Sequence, residues 1–213
     1  NIYKNYKYIY DYLNKIKSSY SLDTMLDVLN KMELVVIPLI GTDNAQQFFE
    51  SINSTGTPLT AADLIRNFIL MNIPDENHDQ VQERLYNNYW VILENYYKES
   101  KRLEEFFRFY LACKTYVLTN KSDVYESFKR YWKNDLRIIE AKLEEITKYC
   151  KYYYTIYNGH EENQTIEKEL VELRKNGSKM PAPFIMEMFH LYDEKQITDI
   201  SLAGLIRTTN TYL

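Results

Sequence analysis

From Asp79 to the end of the chain, apolar residues recur every three or four positions almost without a break. That spacing keeps returning to one side of an α-helix but would scatter over both faces of a strand, so it commits most of the polypeptide to packed helices. Val81, Leu85 and Ile92 begin the pattern; Leu103, Phe106, Phe107, Tyr110 and Leu111 continue it, followed by Tyr125, Phe128 and Trp132. Ile139, Leu143, Ile146, Cys150, Tyr153 and Tyr157 then hold one face as far as Asn158-Gly159, a pair that ends helices well. Three shorter helices are predicted over 165–175, 183–192 and 199–212, separated by NGSKMPAP and DEKQIT.

The N-terminal part follows the same rule with one exception. Ile2, Tyr6, Ile9, Leu13 and Ile16 share one helical face and leave Lys4, Lys7, Asp11 and Lys15 outside it. Ser21 is placed to cap a second, short helix with Leu22, Met25, Leu26 and Leu29 on its buried side. The exception is ELVVIPLI, Glu33 to Ile40, a β-branched run with no helical stripe that reads as a strand. A lone strand cannot satisfy its own backbone, so its sheet is expected upstream or from another chain. The expected fold is therefore mainly α, a bundle-like helical domain with one short strand. Asn1 stands where a natural start has Met, and the amphipathic pattern is already running at Ile2, which reads as an excised fragment.

With 213 residues, 45% of them hydrophobic and 26% charged, the chain can bury a real core, and disorder is not expected. A net charge of −4 argues against a surface devoted to nucleic acid but leaves room for a confined basic groove. Cys113 and Cys150 lack the spacing of a disulfide framework or a zinc site. No apolar run is long enough to cross a bilayer and the start lacks a leader signature, which points to a cytoplasmic protein without membrane partners.

The least ordinary stretch is FESINSTGTPLTAADLIRN, Phe49 to Asn67. Asp43 can cap a helix carrying Ala45, Phe48, Phe49 and Ile52, which should stop near Asn53. Gly56 supplies backbone freedom and Pro58 forbids helix at Thr57, so the chain must turn there. Thr60-Ala61-Ala62-Asp63 then reads as a capping box, Thr60 accepting from the Asp63 N–H and Asp63 reaching back. On the new helix Leu64, Ile65, Phe68 and Ile69 share one side, while Asp63, Arg66 and Asn67 fall opposite with Leu70 among them. An apolar residue within the polar arc predicts cover on both faces, and covered polar groups need partners. Those partners are either one another or a ligand.

This stretch resembles the Phe-Glu-x-x-Asn-x-x-Gly-x-x-Leu-Thr-x-x-Asp-Leu-Ile-Arg-Asn signature of GmrSD-type restriction endonucleases, in their N-terminal ParB-like nucleotidase region. Phe49, Glu50, Asn53, Gly56, Leu59, Thr60, Asp63, Leu64, Ile65, Arg66 and Asn67 match it. The preceding strand, Trp90, YESFKRYW and KYCKYYYTIY also look like the family. The resemblance implies that residues 1–75 are the distal part of a ParB-like α/β domain. Residues 76–213 would be a helical domain leading to a nuclease.

In such proteins an Asp-Gly-Gln-Gln-Arg motif handles nucleoside triphosphate, here with a divalent metal implied for the parent; the motif does not occur in this chain. The resemblance gives the fragment no cofactor and no catalytic residue of its own. It makes Asn53 and Gly56 one wall of a nucleotide pocket braced by Asp63 and Arg66, with Asn67 beside them. Its partners would be the upstream nucleotidase half and the downstream nuclease of the same protein. A second reading is a non-catalytic helical module that binds DNA or relays nucleotide state to a nuclease; homo-oligomer formation is open under both.

Elsewhere the residues carry less. His78, His160 and His190 are far apart, and NGHEEN, Asn158 to Asn163, fits a solvated loop better than a metal site. The 21 tyrosines are unusual. FKRYWK and KYCKYYYTIY interleave cations with rings, the combination that holds phosphates and stacks bases, and nominate Lys129, Arg130, Lys133, Lys148 and Lys151 as a nucleic-acid surface. Against that, Tyr153 and Tyr157 lie on the apolar stripe, where a tyrosine buries its ring and keeps its hydroxyl near the surface.

Overall fold

The computed structural model describes residues 2–17, 19–33, 36, 59–71, 73, 78–98, 100–132 and 138–213. The chain divides into two compact units, Asn1–Asp43 and Asn44–Leu213. Every regular element among the described residues is helical. The strand expected at Glu33 to Ile40 lies outside the described residues, apart from Glu33 and Val36, which are not in a strand.

The first unit contains α1 (Ile2–Ile16) and α2 (Leu22–Asn30). Ser21 caps α2 as its position predicts, its Oγ accepting from the Thr24 N–H at 3.1 Å. The burial expected for both apolar faces is corrected: Ile2 is 89% exposed, and Tyr6, Ile9, Leu26 and Leu29 are also exposed. A helical stripe fixes which side can be buried, but burial itself needs a second surface.

The second unit opens with α3 (Ala61–Met71). A continuous helix follows, made of α4 (His78–Leu85), one π-helical turn (Tyr86–Trp90) and α5 (Val91–Tyr96). Then come α6 (Ser100–Thr115), a 3₁₀ turn (Lys121–Asp123), α7 (Val124–Tyr131) and the long α8 (Ile139–Tyr157). The last three, α9 (Gln164–Asn176), α10 (Ala182–Asp193) and α11 (Asp199–Thr211), fall within a residue or so of the predicted spans. Asn163 and Thr198 cap α9 and α11 with side-chain oxygens. The predicted stop of α8 is also found: Asn158 and Gly159 both donate backbone N–H groups to the Tyr154 carbonyl. A Cβ at Gly159 would lie 3.0 Å from the Thr155 Cα, so glycine is needed there for close approach.

The π turn corrects the expected phase of the helix around it. Each residue of a π turn advances the side chains by less than in an α-helix, so the stripe begun at Leu85 shifts one position. Leu93 and Trp90 are buried, while Ile92, expected inside, is 37% exposed. Trp90 stacks on Phe107 with ring centroids 5.8 Å apart, and Phe107 meets Phe128 edge-on. Phe128 in turn stacks on Trp132.

Around α8 four tyrosines place their rings in the core and donate their hydroxyls to carboxylates. Tyr110 on α6 donates to Glu145 on α8 at 2.6 Å, and Tyr153 on α8 to Glu105 on α6 at 2.9 Å. Tyr149 and Tyr152 on α8 donate to Glu187 and Asp193 on α10. Burial, reinforced by these acceptors, raises the pKa of all four phenols. Cys113 and Cys150 are free, buried thiols whose pKa values burial also raises. No helix among the described residues is long and apolar enough to cross a membrane.

Candidate functional site

The corner is described from Leu59 onward, and its cap forms as the spacing predicts. The Asp63 N–H donates to Thr60 Oγ1 at 3.3 Å. The Asp63 carboxylate accepts from the Thr60 N–H at 3.2 Å and from the Thr60 hydroxyl at 2.6 Å. A third donor of the first turn, the Ala61 N–H, is met by Glu104 of α6 at 3.0 Å. Helix starts leave such N–H groups without intrahelical acceptors, and a carboxylate there also opposes the positive end of the helix dipole. Thr60→Ala is expected to cost about 1 kcal/mol, read from chemical denaturation; an unchanged midpoint would show the cap to be idle.

The two faces of α3 are both covered. Ile65 and Ile69 are buried in the core shared with α6 and α7, with Leu64 and Phe68 packed against it. On the other side Leu70 is only 7% exposed. Between them, Arg66 donates to Glu94 of α5 at 3.1 Å and stands 3.8 Å from Asp63. The other Glu94 oxygen accepts from the Tyr86 hydroxyl at 2.9 Å. Burial, then this hydrogen bond, raises the Tyr86 pKa. Asp63, Glu94, Tyr97 and Lys98 face a cleft of about 280 Å³ on this side of the helix. Asn67 is half-buried on the same helix, and Asn53 and Gly56 lie outside the described residues.

Glu94 and Glu104 are the members that the local pattern does not disclose. They come from helices 28 and 43 residues away in sequence from their partners. A four-residue motif carries its own cap but says nothing of which distant carboxylate meets it.

Of the residues nominated for nucleic acid, Lys129 and Arg130 lie on α7 and Lys148 and Lys151 on α8; Lys133 lies outside the described residues. Lys129 pairs with Glu126 and covers the Tyr125 ring, Arg130 donates to Ser127, and Lys148 donates to Glu194. Lys151 is exposed. The interleaved rings Phe128, Trp132, Tyr149, Tyr152 and Tyr153 are buried, so these five serve packing and are not open platforms for bases. In the NGHEEN loop, His160 sits 3.2 Å from Glu167, whose principal partner is Arg174.

Residues 1–70 match the family model of the GmrSD restriction endonuclease, N-terminal domain. This part of the chain is similar to that domain. The match takes in the whole Phe49–Asn67 signature and ends inside α3, at Leu70. No curated protein and no solved structure matches the chain. The helix on which the GmrSD-type match ends buries its apolar side in the same core as α6, α7 and α8. Within the second unit, the end of the GmrSD signature and the helices beyond it are thus one packed structure.

Proposed function

We propose that this chain is part of an NTP-dependent restriction or phage-defence protein, in which the GmrSD signature corner forms a wall of the nucleotide pocket and the helices beyond it serve as connector to a nuclease. The observation that carries this reading is the anchoring of the corner. Asp63 and Arg66 engage each other, Thr60 and Glu94, while Glu104 meets the start of α3 from α6.

These engagements also bear on how a nucleotide fits. Asp63 and Arg66 have their charges met by protein groups, so they suit a bracing role better than direct phosphate ligation. Contact with the nucleotide falls to Asn53 and Gly56, with Asn67 on the adjoining helix. When bound, the triphosphate and its divalent metal supply the hydrolysable anhydride; residues of this chain orient it. The connector can at the same time hand a change at the corner to whatever follows, because α3 is packed into it. Lys129, Arg130, Lys133, Lys148 and Lys151 remain the proposed DNA contacts of a relay module without chemistry of its own.

Asn53→Ala in the full-length parent separates the two accounts of the corner. A pocket residue is expected to lower turnover or nucleotide affinity at least tenfold, about 1.4 kcal/mol, with little change in melting temperature. A lower melting temperature with normal turnover would make Asn53 part of the turn alone and withdraw the pocket assignment.

A further inference from the structure

A cleft of about 490 Å³ opens on the other side of the start of α3, between Thr60, the first turns of α6, and Lys121 beyond it. Four cations line it: Lys101, Arg102 and Arg108 of α6, and Lys121 of the 3₁₀ turn. Two carboxylates face it as well. Glu104 is committed to the Ala61 N–H, and Glu105 accepts from both Lys179 and the Tyr153 hydroxyl. Residues 101, 104, 105 and 108 form the polar stripe of α6, opposite Leu103, Phe106, Phe107 and Tyr110.

Several cations elsewhere in the molecule are matched by carboxylates. Arg84, Lys114, Lys129, Lys148, Arg174, Lys175, Lys179 and Arg207 all pair with carboxylates. Lys101, Arg108 and Lys121 make no such pair among the described residues, although the protein as a whole has an acidic balance. Arg108 is half-buried and fixed by a different bond: its Nε–H donates to the Thr119 carbonyl at 2.7 Å. That bond orients the guanidinium while using no charge and neither terminal nitrogen. An arginine held through Nε keeps its two terminal nitrogens for a planar or tetrahedral oxyanion.

We propose that this cleft binds an oligophosphate, with Arg108 as the oriented anchor and Lys101 and Lys121 as flanking charges. Its volume suits a ligand of nucleotide size. The phosphate chemistry stands on the cleft itself. Naming a nucleoside triphosphate as its source rests on the proposed function, because Leu59 and Thr60, within the signature, line the same cleft. The helices beyond the signature then sense the phosphates directly, and loss of a terminal phosphate would be felt by α6.

The test is calorimetric titration of the full 213-residue chain with tripolyphosphate at low salt, repeated with nucleoside triphosphate and with a short DNA duplex as competitors. Tripolyphosphate is expected to bind with an affinity that falls as salt rises. Arg108→Gln, and separately the double variant Lys101→Gln/Lys121→Gln, are expected to weaken it tenfold or more, while Lys168→Gln on α9 leaves it unchanged. The double variant alters exposed side chains only, so it decides the matter if Arg108→Gln does not fold. Displacement by nucleotide supports the nucleotide source; displacement by DNA alone keeps the phosphate site and overturns that source. Absence of tripolyphosphate binding by the wild type, or equal binding by the folded variants, overturns the proposal. None of these readouts depends on turnover, so failure of the Asn53 test leaves them untouched.

Discussion

Trp90→Ala is expected to remove roughly 3–5 kcal/mol of folding stability, the range for truncating a large aromatic side chain in a packed core. Trp90 closes the π turn, is 2% exposed, and lies nearly parallel to Phe107, which in turn meets Phe128. Its removal withdraws the ring that stacks on Phe107 of α6, and this partner cannot follow because Phe107 is itself fully buried. Urea denaturation should show a lower midpoint with an unchanged slope, since the surface exposed on unfolding is the same. A loss below about 1 kcal/mol would mean that the neighbouring helices collapse into the space.

Arg174→Met should cost roughly 2–4 kcal/mol at neutral pH by taking the principal partner from a carboxylate and stranding two helix-end carbonyls. Arg174 on α9 donates to the Thr155 and Ile156 carbonyls at the end of α8, both at 2.9 Å, and to both oxygens of Glu167 at 2.8 and 3.1 Å. The Arg174 hydrogen bonds are the main cause that holds the Glu167 carboxyl at about 2, below its ordinary 4.5. A depressed carboxyl favours the folded state while it is charged, so this contribution is complete above the ordinary value and disappears as pH falls through the folded one. The stability gap between wild type and variant should therefore narrow between pH 4.5 and 2. A gap that stays constant over that window would assign the loss to the carbonyls alone.

How far the sequence announces this structure depends on the distance over which each feature acts. The caps at Ser21 and Thr60 were legible because donor and acceptor lie within three residues. The helix spans from Gln164 onward were legible because caps and breakers bracket each apolar stripe. Ile92 falls outside the buried stripe that spacing assigns it to, because a π turn leaves no mark in a count by threes and fours. For α1 and α2 the apolar side was readable but its exposure was not, since exposure depends on what stands opposite. The corner was half legible: the pattern required partners for Asp63 and Arg66, yet Glu94 and Glu104 are chosen by helix packing. The polar stripe Lys101, Glu104, Glu105, Arg108 could have drawn attention to α6, but only the fold brings Lys121 and the start of α3 to it.

The tyrosine hydroxyls around α8 bear on how this protein can move. Apolar side chains tolerate sliding of one helix along another, because one methyl group serves nearly as well as the next. The bonds from Tyr110, Tyr149, Tyr152 and Tyr153 do not, since each has one acceptor at one height along the axis. A slip of α8 by one turn, about 5.4 Å, breaks all four at once and leaves carboxylates facing rings. The three helices α6, α8 and α10 are therefore held in a single register, like a lock whose tumblers fit one key depth. A push delivered to α6 moves this group as one lever arm, and what it transmits is rotation or translation of the whole, not a rearrangement within it.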